Sequence, residues 1–364
     1  MKKVLISGYY GFDNSGDDAI LKAIVKDLKA EDESIQITAF SNNPTFTEQI
    51  YGIEAVNRFG IVDIIRSIRG CDLFISGGGS LLQDVTSTRS LLYYLALIKL
   101  AKIFNKPVMV YANGIGPING KMNRYITRNI LEKVDLITLR DEDSKRFVEE
   151  LGVSNENMYV TADPVFTLEP TDEKTIAGLF KAEGIDDNKP LIGISVRNWT
   201  NAENLVSILA KAIDYIVEKY QANAILIPMH YPEDLSISNS ILDRVATKNC
   251  YIISKKYSVE DIMGIICRTE IIIAMRLHSL IYAATQKVPM VGLVYDPKIE
   301  GFLKSIGMDS MCSVEDLKYD ELISNIDYVW QNRRHLEEKL KEIDIHMRQQ
   351  ALRNVHMALE LLRE

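Results

Sequence analysis

The chain has 364 residues, 47% hydrophobic and 25% charged, with 20 Gly and 10 Pro spread along its length. That balance fits two packed domains and excludes a disordered or low-complexity chain. Its net charge of −8 excludes a general nucleic-acid binder, which needs a surplus of Lys and Arg against phosphate; any bound anion must be met by a local basic pocket.

In chain order, short apolar runs alternate with helical patterns. Lys3–Gly8 predicts a strand, and a helix follows from about Asp17 to Lys29. Ile35–Phe40, Leu73–Ser76, Val108–Ala112 and Leu136–Leu139 continue the series, and Tyr159–Pro164 closes it. After a polar stretch from Glu169 to Lys174 and a looser one from Gly184 to Pro190, the theme restarts. Its strands are Leu191–Val196, Ala224–Met229, Tyr251–Ser254, Ile271–Met275 and Met290–Tyr295. Nearly continuous apolar strands alternating with helices mean parallel sheets buried on both faces. The expected fold is α/β: two Rossmann-like domains facing a cleft, residues 1–172 and 173–345. Residues 346–364 end a long amphipathic helical tail that is expected to return to the first domain.

The four cysteines lie far apart with no CxxC pair, so a disulfide framework or zinc site is not indicated and a reduced, cytoplasmic setting is expected. The five histidines show no metal-site spacing, and no metal is expected. Met1-Lys2-Lys3 precedes too short an apolar run for a signal peptide. The longest apolar stretch, Leu91 to Phe104, reads as a core helix too short to span a bilayer.

In open α/β sheets ligands bind beyond the carboxyl ends of the strands, which selects the residues to weigh. Gly8-Tyr9-Tyr10-Gly11-Phe12-Asp13-Asn14-Ser15-Gly16-Asp17-Asp18 leaves a strand and enters a helix, without the spacing of a dinucleotide or Walker loop. Its backbone suits an anion or a sugar hydroxyl. Equally, Asn14 or Ser15 would cap the helix, and Asp17 and Asp18 would suit its dipole. Asp13, ahead of the helix, is the better candidate base. Gly77-Gly78-Gly79-Ser80 reads as strand, glycines, then helix; three glycines suggest close approach of backbone to ligand. Asn113-Gly114-Ile115-Gly116-Pro117 reads as a second such loop.

Arg140 follows a strand, where its planar fork suits carboxylate or phosphate; a salt bridge to Asp141 or Asp143 is the plain alternative. Asp141-Glu142-Asp143 opens a helix, where acids are expected without any metal. Arg276 and His278 end another strand and, if it stays extended, point the same way. A helix start near Ser279 would make the spot an anion pocket. Lys298, one loop further, suits phosphate as a point charge. His230 and Arg197 are weaker members of the same rim.

Together these segments, with Tyr295-Asp296-Pro297-Lys298, resemble the polysaccharide pyruvyl transferase family over nearly the whole chain, to about Gly307. The likeness is closest to its CsaB type, which acts on N-acetylmannosamine in secondary cell-wall polymers. Asp18 departs from it, standing where Glu is common. The resemblance implies a GT-B-like fold and phosphoenolpyruvate as co-substrate, with no further cofactor. Its product would be a 4,6-ketal, and its acceptor a lipid-linked amino sugar at the inner membrane face, with peripheral membrane contact. It implies Arg140, His278 and Lys298 as donor-binding or catalytic residues. We add His278 as general acid, Asp13 or Asp17 as base, and Arg276, Asn14, Gly16, Gly78, Gly79, Ser80 and Asn113 as substrate contacts. The competing expectations are a nucleotide-sugar glycosyltransferase on the same scaffold and a non-catalytic sugar- or nucleotide-sensing module.

Overall fold

The computed structural model describes residues 1–200, 202 and 204–363. The chain divides into two compact units, Met1–Leu168 with His346–Glu364, and Glu169–Ile345. The sequence-based boundary at residue 172 thus falls just inside the second unit.

The first unit runs β1 (Lys3–Ser7), α1 (Ser15–Glu31), β2 (Gln36–Ser41), α2 (Pro44–Tyr51), β3 (Glu54–Asn57), α3 (Ile61–Gly70), β4 (Leu73–Ser76), β5 (Gly79–Leu82), α4 (Thr88–Ile103), β6 (Val108–Ile115), α5 (Lys121–Leu131), β7 (Leu136–Leu139), α6 (Glu142–Glu150) and β8 (Met158–Val160). Its strands lie in the order β3-β2-β1-β4-β6-β7-β8, with β5 beside β6, and all pair in parallel. β4 and β7 are buried at every residue, as strands covered on both faces must be. Ile64 and Ile68 of α3, Leu91 and Leu95 of α4, Leu131 of α5 and Val148 of α6 join one apolar core with Phe74, Val110 and Ile137 of the sheet. α1 is buried along most of its length. There Asp27 accepts a 2.8 Å hydrogen bond from the Thr167 hydroxyl, and burial pushes its carboxyl up to about 6.

The second unit holds α7 (Glu173–Ala182), β9 (Leu191–Ser195), α8 (Leu205–Tyr220), β10 (Asn223–Leu226), α9 (Glu233–Leu242), β11 (Cys250–Ile252), α10 (Val259–Cys267), β12 (Ile271–Ala274), α11 (Leu277–Thr285), β13 (Met290–Val294), α12 (Pro297–Ser305) and β14 (Met311–Ser313). Its parallel order is β11-β10-β9-β12-β13-β14. The last helix, α13 (Tyr319–Arg363), starts in this unit. Its final turns belong to the first: Asn354 donates to the Ala162 carbonyl at 3.1 Å and accepts from the Thr161 hydroxyl at 2.8 Å. Among the described residues no helix is long and apolar enough to cross a membrane.

Each sheet reverses its direction of winding once, between β1 and β4 in the first unit and between β9 and β12 in the second. Ligand sites of open α/β sheets form at such switch points. The segments leaving these four strands are therefore where a site belongs.

Candidate functional site

At the first switch point the chain fills its own glycine turns. Tyr10 folds back and is 1% exposed; a Cβ on Gly8 or on Gly77 would land inside its phenol. A Cβ on Gly78 would meet Ile20 at 3.0 Å. Internal packing thus accounts for glycine at Gly77 and Gly78. Gly79 differs: it has φ +90, and its Cβ position lies 3.2 Å from Oδ1 of Asp17. The turn then enters the short strand β5, not a helix; α4 starts only at Thr88.

Polar atoms collect under this turn. Among the described residues the hydroxyls of Ser7, Ser76 and Tyr10 are buried with no hydrogen-bond partner, and Ser7 and Ser76 are register neighbours. Burial, and then the charge of Asp17, push the Tyr10 phenol well above its ordinary range. Asn14 is the N-cap of α1 and accepts from the Gly16 N–H at 3.1 Å. Asp13 is exposed at φ +59, a left-handed conformation that costs a non-glycine residue about 1 kcal/mol. Strain of this kind collects at functional sites.

Arg58, which drew no attention in the sequence, anchors the turn. It is 5% exposed, donates to the Gly8 carbonyl and to the Tyr94 hydroxyl at 3.3 Å each, and meets no carboxylate among the described residues. Instead five rings surround it, with Tyr93 centred 4.7 Å away and Phe12 5.1 Å; Phe12 stacks on Tyr9 at 4.1 Å. Aromatic faces stabilise a guanidinium held out of water. Nothing local in the sequence marks this cluster, because its members come from three separate segments.

Arg140 is also buried, and its charge is matched. It pairs with Asp163 at 3.2 Å and with Asp141 at 3.5 Å, and donates to the Ser80 hydroxyl at 3.1 Å. Gly114 makes room for it, since a Cβ there would sit 2.8 Å from the guanidinium. Asn113 to Ile115 belong to β6 and form no loop. Asn113 is fully buried and donates to the carbonyls of Ser76, Gly77 and Tyr111. It is a strut joining β4 to β6. Asp141 caps α6, as its position in the sequence suggested.

The second switch point presents charge. Four neighbouring strands, β10, β9, β12 and β13, lead in turn to His230, Arg197, Arg276 with His278, and Lys298. Arg276 is the N-cap residue of α11, so the chain turns helical at Leu277 and the extended geometry expected through His278 does not persist. His278 instead occupies the first turn of α11, its ring 6.5 Å from that of Tyr282. Lys298 lies in the first turn of α12, and its ammonium sits 3.0 Å from Asp296.

Asp234, another residue the sequence hid, holds Arg276 through both Nε and Nη2. Its Oδ2 also accepts from the backbone N–H of Met229 and His230 at 3.2 and 3.0 Å. Arg276 is therefore neutralised and immobilised. Among the described residues Arg197 has no carboxylate beside it. It donates to the Tyr295 hydroxyl at 3.3 Å and lies over the Trp199 and Tyr295 rings. Among the described residues no three His, Cys, Asp or Glu side chains are grouped to hold a metal ion.

Two parallel α/β units with helices on both sheet faces, each with a switch-point edge, place the protein in the GT-B-like class. HepE of Anabaena, solved with UDP-glucose, superposes with a TM-score of 0.67 at 13% identity, over 100% of both chains. The UDP-GlcNAc 2-epimerase of Methanocaldococcus jannaschii gives 0.70 at 14% identity, over 99% of this chain and 100% of its own. These likenesses concern the fold.

The polysaccharide pyruvyl transferase model matches residues 14–297, and the chain belongs to that family. The amylovoran biosynthesis protein AmsJ of Erwinia amylovora is 22% identical over 395 residues, covering 93% of this chain and 94% of AmsJ. The protein is accordingly an enzyme of pyruvyl transfer in polysaccharide biosynthesis, with a sugar or polysaccharide acceptor and a pyruvate donor.

Proposed function

We propose that the donor is phosphoenolpyruvate and that its pyruvyl group is moved, as a 4,6-ketal, onto N-acetylmannosamine of a lipid-linked cell-wall precursor. The observation that carries the reading is the row of basic side chains on four adjacent strands of the second unit. Phosphoenolpyruvate brings a phosphate and a carboxylate on one carbon, and on a chain of net charge −8 it needs such a concentration of donors. Arg197, which has no carboxylate beside it among the described residues, meets the donor with its guanidinium, and Lys298 meets it as a point charge. The N-termini of α11 and α12 add positive potential. Arg276, locked by Asp234, holds the start of α11 and with it His278.

In this reading protonated His278 gives its proton to the methylene carbon, and C2 becomes electrophilic. A sugar hydroxyl adds to C2 as a base takes its proton. Phosphate leaves with its bonding electrons, and the second hydroxyl closes the ring, releasing the remaining proton. Lys298 and Arg197 balance the charge that builds on the departing phosphate. Arg140, matched by two carboxylates, presents the Ser80 hydroxyl rather than binding phosphate itself. The reaction asks for no cofactor.

Thermal unfolding with ligands tests the donor. Phosphoenolpyruvate should raise the melting temperature, and Arg197→Ala and Lys298→Ala should remove the rise without lowering the unliganded value. A rise with UDP-glucose and none with phosphoenolpyruvate would transfer the reading to a nucleotide-sugar glycosyltransferase.

A further inference from the structure

Ketal formation needs a base as well as an acid, and the two candidates read from the sequence, Asp13 and Asp17, stand in the first unit. The second switch point carries a candidate of its own. Leu226 of β10, Ile194 of β9 and Ile273 of β12 form one register row. His230 follows that row by four residues, and Arg197 and Arg276 follow it by three each. With neighbouring strands about 4.8 Å apart, β10 and β12 end about 10 Å from each other, on either side of β9. His230 leaves the first of them, and Arg276 with His278 leaves the second.

One carboxylate draws the two sides together. Oδ2 of Asp234 accepts from the backbone N–H of His230 and from Nε of Arg276, both at 3.0 Å. His230 is therefore fixed through its backbone, close to the N-cap residue of the helix that carries His278. Its side chain is 22% exposed, and Nε2 lies 3.5 Å from the Glu233 carboxylate. A carboxylate beside an imidazole stabilises the imidazolium that forms when the ring takes a proton. The other groups of this edge are committed. Asp234 is spent on Arg276 and two backbone N–H groups. Asp296 caps α12 and pairs with Lys298, and arginine keeps its proton.

The geometry points to His230 as the base that activates the acceptor, an assignment that rests on the donor and reaction proposed above. Protonated His278 and neutral His230 leave the strands on either side of β9, whose own end carries Arg197. His278 gives its proton to the methylene carbon. The first sugar hydroxyl bonds to C2, and its proton passes to the His230 imidazole. As the bond from C2 to the phosphate oxygen breaks, phosphate takes the electron pair and His230 returns the proton to it. The second hydroxyl then bonds to C2, and its proton restores the imidazolium of His278. Both rings end as they began, with one proton delivered to the new methyl group and one to phosphate. Imidazole suits both parts, because it takes and gives a proton near neutral pH.

Acceptor-dependent phosphate release by His230→Ala tests it. Turnover should fall about a hundredfold. The melting temperature, and its rise with phosphoenolpyruvate, should stay those of the parent, because the backbone N–H on Asp234 is kept. Added imidazole should restore turnover in proportion to its concentration, which a merely structural side chain would not show. Glu233→Gln should give a smaller loss. If the alanine variant does not fold, His230→Asn reads the same loss. A His230→Ala enzyme as fast as its parent would overturn the assignment. So would a slow one that imidazole leaves unchanged and whose melting temperature no longer rises with phosphoenolpyruvate, since His230 would then be a donor-binding residue. A parent that releases no phosphate from phosphoenolpyruvate in the presence of acceptor would overturn the proposed reaction, and this assignment with it.

Discussion

The two switch-point edges use the same architecture in opposite ways. In the first unit the glycine turns are filled from within, by Tyr10 against Gly8 and Gly77 and by Arg140 against Gly114. Its two buried guanidiniums are stabilised internally, Arg140 by carboxylates and Arg58 by aromatic rings. In the second unit, among the described residues, Arg276 is locked by the buried Asp234, Lys298 pairs with the partly exposed Asp296, and Arg197 has no carboxylate beside it. The comparison teaches that a glycine-rich turn shows where backbone runs close to something, not what that something is. Charge left without a carboxylate among the described residues, as at Arg197, points more directly to a ligand.

The largest expected effect lies on the second edge. His278→Gln should cut turnover about a thousandfold, the span of general acid catalysis, with an unchanged melting temperature; steady-state kinetics and calorimetry check it. Activity near that of the parent would remove the acid role and leave that edge a binding surface. Asp234→Ala should then cost about 4 kcal/mol of stability, since it leaves Arg276 mostly buried and unpaired. Denaturant titration measures this, and a loss below about 1 kcal/mol would show that Arg276 does not rely on it.

The first edge is tested by Gly77→Ala, expected to cost about 3 kcal/mol by overpacking against Tyr10. The nearest atom a Cβ at Gly77 would meet is the Tyr10 hydroxyl, so Tyr10→Phe should restore much of the loss. A double-mutant cycle reads the coupling. A glycine kept for ligand contact would instead raise KM, leave stability alone and show no rescue.

The smallest effect concerns Asp27, whose carboxyl is raised by burial to about 6. A raised folded pKa means that its stabilising effect is present below the unfolded value near 4 and is lost as pH rises through about 6. Asp27→Asn should therefore stabilise the protein at pH 7 by on the order of 2 kcal/mol. The gain should vanish by about pH 4. Melting curves across that range check it, and a gain independent of pH would contradict the assignment.

Much of this was legible in the sequence, because apolar strands and helix periodicity arise locally. The strands around Leu73–Ser76, Leu136–Leu139 and Ile271–Ala274 and the caps at Asn14 and Asp141 all follow from neighbouring residues. Errors arose where geometry depends on distant partners. Gly79-Ser80 reads as a glycine turn into a helix and Asn113–Ile115 as loop, yet Gly79–Leu82 and Asn113–Ile115 pair with each other as strands. Arg276–His278 looks extended until Asp234, more than forty residues earlier in the chain, fixes the helix start. Arg58 and Asp234 carry no signal, since a buried ion's meaning lies in what folds against it. Asp234 also stands in a helix's first turn, where an acid is expected on dipole grounds alone.

The central claim is tested most directly by incubating the enzyme with phosphoenolpyruvate and a lipid-linked disaccharide ending in N-acetylmannosamine, following phosphate and the mass of the glycan together. The account predicts phosphate release only when the acceptor is present, and a glycan heavier by one pyruvate less one water. Phosphate release without a heavier glycan, or a heavier glycan formed from a sugar nucleotide instead, would contradict it.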